Sequence, residues 1–341
     1  MKALNTYAIT RAMIESAVAH GLKEIEEDPK RSARRLVDLG KQFSKNRFQD
    51  LVFSVMQELL DNENSAYYDM LANLQRNSDQ EALKLFGVNM GYMGWCYGAG
   101  RIRKQQEELG VCIPWCLMFR YAPGREGGMK ARQIASLVEQ GQELGIYVYF
   151  IRQADAAQTP FETLNLFAAN KECAFVWVRE SGRLTAAEIQ LLGTCKNVVT
   201  VLPVGDPESI LTAELLREKK ILFSLYMTYS DRTSFSETSE MTIQNVLTSQ
   251  SSLFFLIAED GTKVSYEKEC YESRLKQEFP CLLMDYYGDA QSICRATTEH
   301  RHLLEIGEDG TVLFPKEKAG TPFDFDAPLT ETLVKIMPRR S

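Results

Sequence analysis

Apolar positions along the chain follow two different periods, and the change of period divides it. Up to about residue 108 the spacing is helical. Asp28-Pro29 supplies an N-cap followed by a proline at the first helical position, and behind it Leu36, Leu39 and Phe43 fall on one face. Phe48, Leu51, Val52 and Val55 continue the period, backed by Met56, Leu59 and Leu60. Ser78-Asp-Gln-Glu81 matches a capping box and predicts another helix start.

From residue 111 short apolar runs alternate with helical stretches. The run 112–119 ends at the turn signal Tyr121-Ala-Pro-Gly124 and reads as a strand. Ile134, Leu137, Val138 and Leu144 recur at helical spacing, Gly145 stops that helix, and 146–151 is short enough for a buried strand. Parallel strands need a crossover of this length, so the stretch is a βαβ unit. The pattern repeats: strands at 173–178, 198–204, 221–229, 253–258 and 281–287, helices at 160–171, 185–192, 206–220, 239–250 and 265–278. A hairpin follows, 302–306 and 311–314 around Gly307-Glu-Asp-Gly310, with a short helix at 330–336. Seven βα-type repeats predict an α/β fold: a partial or complete parallel βα barrel with an N-terminal helical domain and a C-terminal β-hairpin. An open doubly wound sheet is the alternative. The expected domains are 1–108, 109–290 and 291–341.

Composition narrows the function. With 45% hydrophobic and 25% charged residues among 341, the chain is ordinary globular protein. A net charge of -7 argues against nucleic acid as partner, because phosphate binding needs a basic surface. The most membrane-like run, 85–100, holds Asn89 and five glycines and is too short for a span. Eight cysteines without a repeating spacing suit reduced thiols in a cytoplasmic protein. If the 85–100 run is exposed, it is the expected contact for a protein partner or a second copy of this chain.

Ile113-Pro-Trp115 before an apolar strand, and Glu139-Gln-Gly-Gln-Glu-Leu-Gly-Ile-Tyr-Val-Tyr149, resemble a group of bacterial radical SAM proteins. The resemblance covers most of the chain, best from 111 to 200. In that family the first strand leads into a CxxxCxxC loop holding a four-iron four-sulfur cluster, whose open iron chelates S-adenosylmethionine. Here the loop from Arg120 to Gly128 has no cysteine. Cys112 and Cys116 keep a CxxxC spacing on one strand face, but Phe119 stands where a third would follow. The family's Gly-Gly-Glu-Pro is replaced by Arg152-Gln-Ala-Asp-Ala156, and its Thr-Asn-Gly by Arg179-Glu-Ser-Gly182. Cys294 and the hairpin match the family's late layout, with Pro315 at the second cysteine. The resemblance therefore implies a retained framework without its cluster: a binding or accessory module rather than an enzyme, with no cofactor expected. The alternative is an enzyme that still binds S-adenosylmethionine or an anionic substrate at the barrel mouth.

Barrel strands end in the loops that carry function. Those ends are Arg120, Arg152, Asp155, Arg179, Glu180, Asp206, Tyr229 and Asp285. Arg152 and Arg179 would suit a small anion in bidentate geometry. The competing expectation is internal pairing, such as Arg152 with Glu180. A metal reading rests on Cys294, His300 and His302 (C-x5-H-x-H), with both imidazoles on one strand face; solvated imidazoles and no metal are the favoured expectation. With three histidines in the chain, no Ser-His-Asp arrangement can be built.

Overall fold

The computed structural model describes residues 2–25, 28–42, 47–154, 161–277 and 279–339. Side chains at 2–6, 39 and 47–52 stand outside that description, as do the expected face residue Phe43 and the expected site residue Asp155. Helices come first: α1 (Lys2–Ile25), α2 (Pro29–Gln42), α3 (Arg47–Asp61), α4 (Ala66–Asn77), α5 (Gln80–Val88), a π-helix (Asn89–Gly98) and α6 (Ala99–Leu109). Then strands and helices alternate: β1 (Cys116–Tyr121), α7 (Ala131–Leu144), β2 (Val148–Gln153), α8 (Phe161–Ala169), β3 (Ala174–Arg179), α9 (Ala186–Leu192) and β4 (Val198–Pro203). The series continues with α10 (Pro207–Glu218), β5 (Phe223–Tyr229), α11 (Phe235–Ser249), β6 (Leu253–Ala258), α12 (Glu267–Lys276), β7 (Leu282–Asp285) and α13 (Tyr286–Thr298). It closes with β8 (Leu304–Ile306), β9 (Val312–Phe314) and α14 (Leu329–Ile336). Two compact units form, each from two stretches: Met1–Val88 with Ala213–Gly288, and Asn89–Thr212 with Asp289–Ser341.

In the second unit β4, β3, β2, β1 and β8 pair in parallel, and β9 turns back antiparallel on β8. Both edges of β1 are therefore taken, by β2 and β8, so the barrel is partial. Successive side chains alternate between faces. Phe167 of α8 packs on Phe175 and Trp177 with ring centroids 4.7 and 5.9 Å apart, and the Tyr149 hydroxyl donates to Val138 O of α7. Odd-numbered positions of β2 and β3 thus meet the helices. Arg120, Arg152 and Glu305 lie on the other face: Arg120 is opposite Arg152, and Met118, two residues before Arg120, is opposite Glu305.

The π-helix packs where β2 and β3 begin. Asn89 Nδ2 donates to Lys171 O and Cys173 O, at 2.8 and 2.9 Å. A Cβ at Gly98 would lie 2.3 Å from Gly145 O, so only glycine lets the two backbones meet. Within 85–100 just Gly87 and Gly100 are exposed, six residues are buried and the other eight are half-buried.

The first unit joins α1–α5 to the parallel strands β5, β6 and β7. The joint is made by residues that follow a helix and precede a strand. Lys220, Gln250 and Gln277 all have left-handed backbone, at φ 54, 59 and 57°, where glycine is the usual choice. Gln277 Nε2 donates to Leu59 O at 2.8 Å and Gln250 Oε1 accepts from Asn77 Nδ2 at 3.1 Å. Lys220 O accepts the Asp79 N–H at 2.8 Å.

Several boundaries differ from the sequence reading for local reasons. Strand β1 starts at Cys116 rather than 112, because Pro114 interrupts the ladder. Cys112 N bonds Met337 O instead, so the two thiols do not share one strand face. Helix α11 starts at Phe235, behind a Ser234–Glu237 capping box. The run 281–287 splits between β7 and α13, since Asp285 Oδ1 accepts the Gly288 N–H and turns the chain at once. At α5 the cap is Asp79, whose Oδ1 accepts Ala82 N, and not Ser78.

Candidate functional site at the strand ends

In the second unit Arg120 and Arg152 stand opposite each other at the ends of β1 and β2. Arg120 Nε bonds Glu305 Oε1 at 3.0 Å, with the glutamate 1% exposed. Sequence reasoning missed Glu305; its signal was a lone carboxylate inside the apolar run Leu303-Leu304-Glu305-Ile306. Arg152 Nε lies 3.3 Å from Glu180 Oε1 without forming a hydrogen bond there. Glu180 is 38% exposed, so this pair is looser and wetter than its neighbour.

Arg179 does not join them. It stands opposite Gln153 on the helix-facing side, buried, with its guanidinium 4.9 Å from the Trp177 ring centre. Trp177 Nε1 donates to Gln153 Oε1 at 2.9 Å. The bidentate clamp expected of Arg152 with Arg179 is therefore replaced by a cross-strand Arg120–Arg152 pair. Asp206 faces neither: Oδ2 accepts Gly182 N at 2.7 Å and Oδ1 accepts Glu208 N at 2.9 Å, which starts α10 and ties down the loop after β3.

The loop after β1 is pinned to the β8–β9 turn. Arg125 pairs with Glu308 at 2.5 Å, and Met129 N donates to Glu308 O at 3.1 Å. Gly128 sits so close that a Cβ would lie 2.9 Å from Glu308 O. The loop's backbone donor at the start of α7 is thus engaged internally.

Tyr229 and Asp285 belong to the first unit and do come together. Asp285 is 0% exposed and its carboxylate accepts from Tyr229 Oη (2.7 Å), Ser265 Oγ (3.1 Å), Tyr266 N (2.7 Å) and Gly288 N (2.8 Å). Burial first, and the carboxylate second, push the Tyr229 hydroxyl far above its ordinary range. A carboxylate with four donors and no access to water holds β5, β7 and α13 together; it offers a ligand nothing.

Cys294 and His300 also meet, but in loop rather than strand geometry, since both histidines precede β8. His300 Nδ1 accepts the His302 N–H at 3.1 Å, so Nε2 carries the proton toward Gln106 Oε1 (2.7 Å) and Ile113 O (3.1 Å). Burial lowers the His300 pKa to about 4 and raises Cys294 to about 11. Both imidazole nitrogens are spent on protein groups. Among the described residues no three His, Cys, Asp or Glu side chains gather as a metal site. Burial likewise raises the Cys112 and Cys116 thiols, Cys116 furthest.

No family model and no curated protein matches the chain. Solved structures do. SuiB of Streptococcus suis bound to S-adenosylmethionine aligns with a TM-score of 0.50 at 11% identity, over 67% of this chain and 66% of that one. SuiB in another crystal structure aligns over 93% of this chain and 81% of that one, with a TM-score of 0.48 and 10% identity. No helix among the described residues is long and apolar enough to cross a membrane. The chain spans just under two thirds of the first of these SuiB structures, and what the likeness shows is its fold: α/β, mostly parallel and radical-SAM-like.

Proposed function

We propose that this chain is a radical-SAM-like protein without the iron–sulfur cluster, acting as a binding or accessory module for a small anion at the ends of β1 and β2. The observation that carries the reading is the thiol inventory around β1. The loop after the strand has no cysteine, and the two cysteines before it are buried, with pKa values raised by that burial. A cluster needs accessible thiolates, and buried high-pKa thiols are poor ligands for one. The residues present do not fit the group, so no redox step is assigned.

The ligand would enter at Arg152. Arg120 is held by a buried carboxylate, whereas Glu180 is half in water and can yield its place to a stronger acceptor. S-adenosylmethionine is the first ligand to try, because SuiB was solved bound to it. A second reading, an enzyme that still uses this mouth, draws on the same arginine pair.

The test has two parts. Iron and acid-labile sulfide are measured after anaerobic purification, with far less than one iron per chain expected. About four irons per chain would overturn the reading. Calorimetric titration with S-adenosylmethionine and with anionic metabolites then compares the parent with Arg152→Ala. Binding lost in the variant supports the module; a parent that binds none of them leaves Arg152 and Glu180 as a plug of a closed mouth.

A further inference from the structure

We infer that the first unit carries a separate site for the phosphate group of a small molecule, in a cavity of about 500 Å³ beside the first turn of α5. The cavity's polar lining is Gln75, Arg76, Ser78, Asp79, Gln80, Glu81 and Lys220. A volume of this size suits a small organic ligand and exceeds what one water needs.

Its chemistry follows from how α5 begins. Asp79 takes the capping position, so its Oδ1 is used by Ala82 N and its own N–H by Lys220 O. Ser78, displaced from the cap, is only 6% exposed and its hydroxyl makes no hydrogen bond among the described residues. A hydroxyl left without a protein partner beside a cavity is a group that a ligand can satisfy. The N–H groups of the first helical turn have no partner within the helix and carry partial positive charge. A helix start alone would prove nothing; the buried serine is the independent observation.

The charges add to it. Glu81 is already paired with Lys84 at 2.6 Å, and Asp79 is committed to its cap. Arg76 and Lys220 carry no ion pair among the described residues. Lys220 is the odd member of a series. Gln250 and Gln277 occupy the same left-handed position after their helices, and each spends its side chain on the helical layer. Lys220 docks with its carbonyl only, which leaves the ammonium at the cavity. The lining carboxylates Asp79 and Glu81 are engaged by the cap and by Lys84, while two cations without an ion pair, a serine hydroxyl, two side-chain amides and a helix start remain as donors. A tetrahedral dianion answers more of them than a single carboxylate does.

The experiment is a thermal-denaturation titration of the full chain with inorganic phosphate and with ribose 5-phosphate, chloride balancing ionic strength and acetate as control. A saturable rise in midpoint with either phosphate compound, absent with acetate, is expected. Tighter response to the ester identifies an organic phosphate, and equal response a free one. Lys220→Gln and Arg76→Gln should each weaken the apparent affinity about tenfold, and together abolish the response. Both side chains are exposed and unpaired, and glutamine already occupies the Lys220 position elsewhere in the fold, so circular dichroism should match the parent. Arg152→Ala should leave the phosphate response intact, which separates this site from the one at β1 and β2. A parent indifferent to phosphate, or a double variant that still responds, overturns the inference.

Discussion

Asp285 and Arg152 both stand at the end of a parallel strand, and they have opposite surroundings. Asp285 is fully buried and four donors converge on its two oxygens. Arg152 has, among the described residues, a single carboxylate 3.3 Å from Nε, without a hydrogen bond at that nitrogen. The difference teaches how to read charge at strand ends. A charge whose hydrogen-bonding capacity is exhausted by protein is a fastener, and one that is half answered and half wet is open to exchange. Arg120 falls with Asp285 in this respect, since its partner Glu305 is buried.

The largest effects should follow from cutting the fasteners. Asp285→Ala strands the Tyr229 hydroxyl and two backbone N–H groups in a water-free site. Destabilisation of about 3–5 kcal/mol is expected by urea denaturation, with Asp285→Asn costing clearly less because one acceptor remains. Arg120→Ala removes the ion-pair partner of the buried Glu305 carboxylate and should cost a similar amount, largely recovered by adding Glu305→Gln. If either single variant melts within experimental error of the parent, the contrast between fastened and exchangeable charge fails.

An intermediate effect belongs to His300. Its folded pKa is depressed to about 4 by burial, against an ordinary 6.5, with the neighbouring His302 and Arg339 adding to the depression. The neutral ring is the one that fits, so the folded state binds fewer protons than the unfolded one between these values. The stabilisation is complete above pH 6.5 and is lost as pH falls through 6.5 toward 4, by on the order of 3 kcal/mol. Comparing denaturation at pH 7 and pH 4.5 for the parent and His300→Gln isolates it. The variant should lose less stability over that interval, and an equal loss would show that His300 is not the group responsible.

The sequence was informative where a pattern is local and poor where two distant residues must meet. The first six βα repeats were legible because strands buried on both faces are short apolar runs, and Thr185–Glu188 formed the capping box its spacing implied. The last βα step was not, since Asp285 turns the strand directly into α13 without a loop signal. At the candidate site, the positions Arg120 and Arg152 follow from strand ends, but their faces depend on register. Arg179 was misassigned to the ligand side because β3 ends one residue further along its pleat, opposite Gln153 instead of Arg152. The pairing of Glu305 with Arg120 was not legible for a different reason: it reaches β1 from a strand 185 residues away.

The smallest effect is the most discriminating. Arg152→Ala and Glu180→Gln remove an ion pair that is partly exposed and not hydrogen-bonded at Nε, so each should change stability by about 0–1 kcal/mol. Their effects on binding should nevertheless be opposite in sign. Without the guanidinium the anion loses its partner and affinity falls. With Glu180 neutralised, the competing carboxylate is gone while the guanidinium stays, so affinity for the same anion should rise by a factor of a few. A simple structural ion pair predicts something else, with both variants indifferent to ligand and equally, slightly destabilised. Titrating the two variants side by side with whichever anion the parent binds therefore decides between an exchangeable charge and a weak fastener. Glu180→Gln weakening the binding as much as Arg152→Ala would place Arg152 with Asp285 after all.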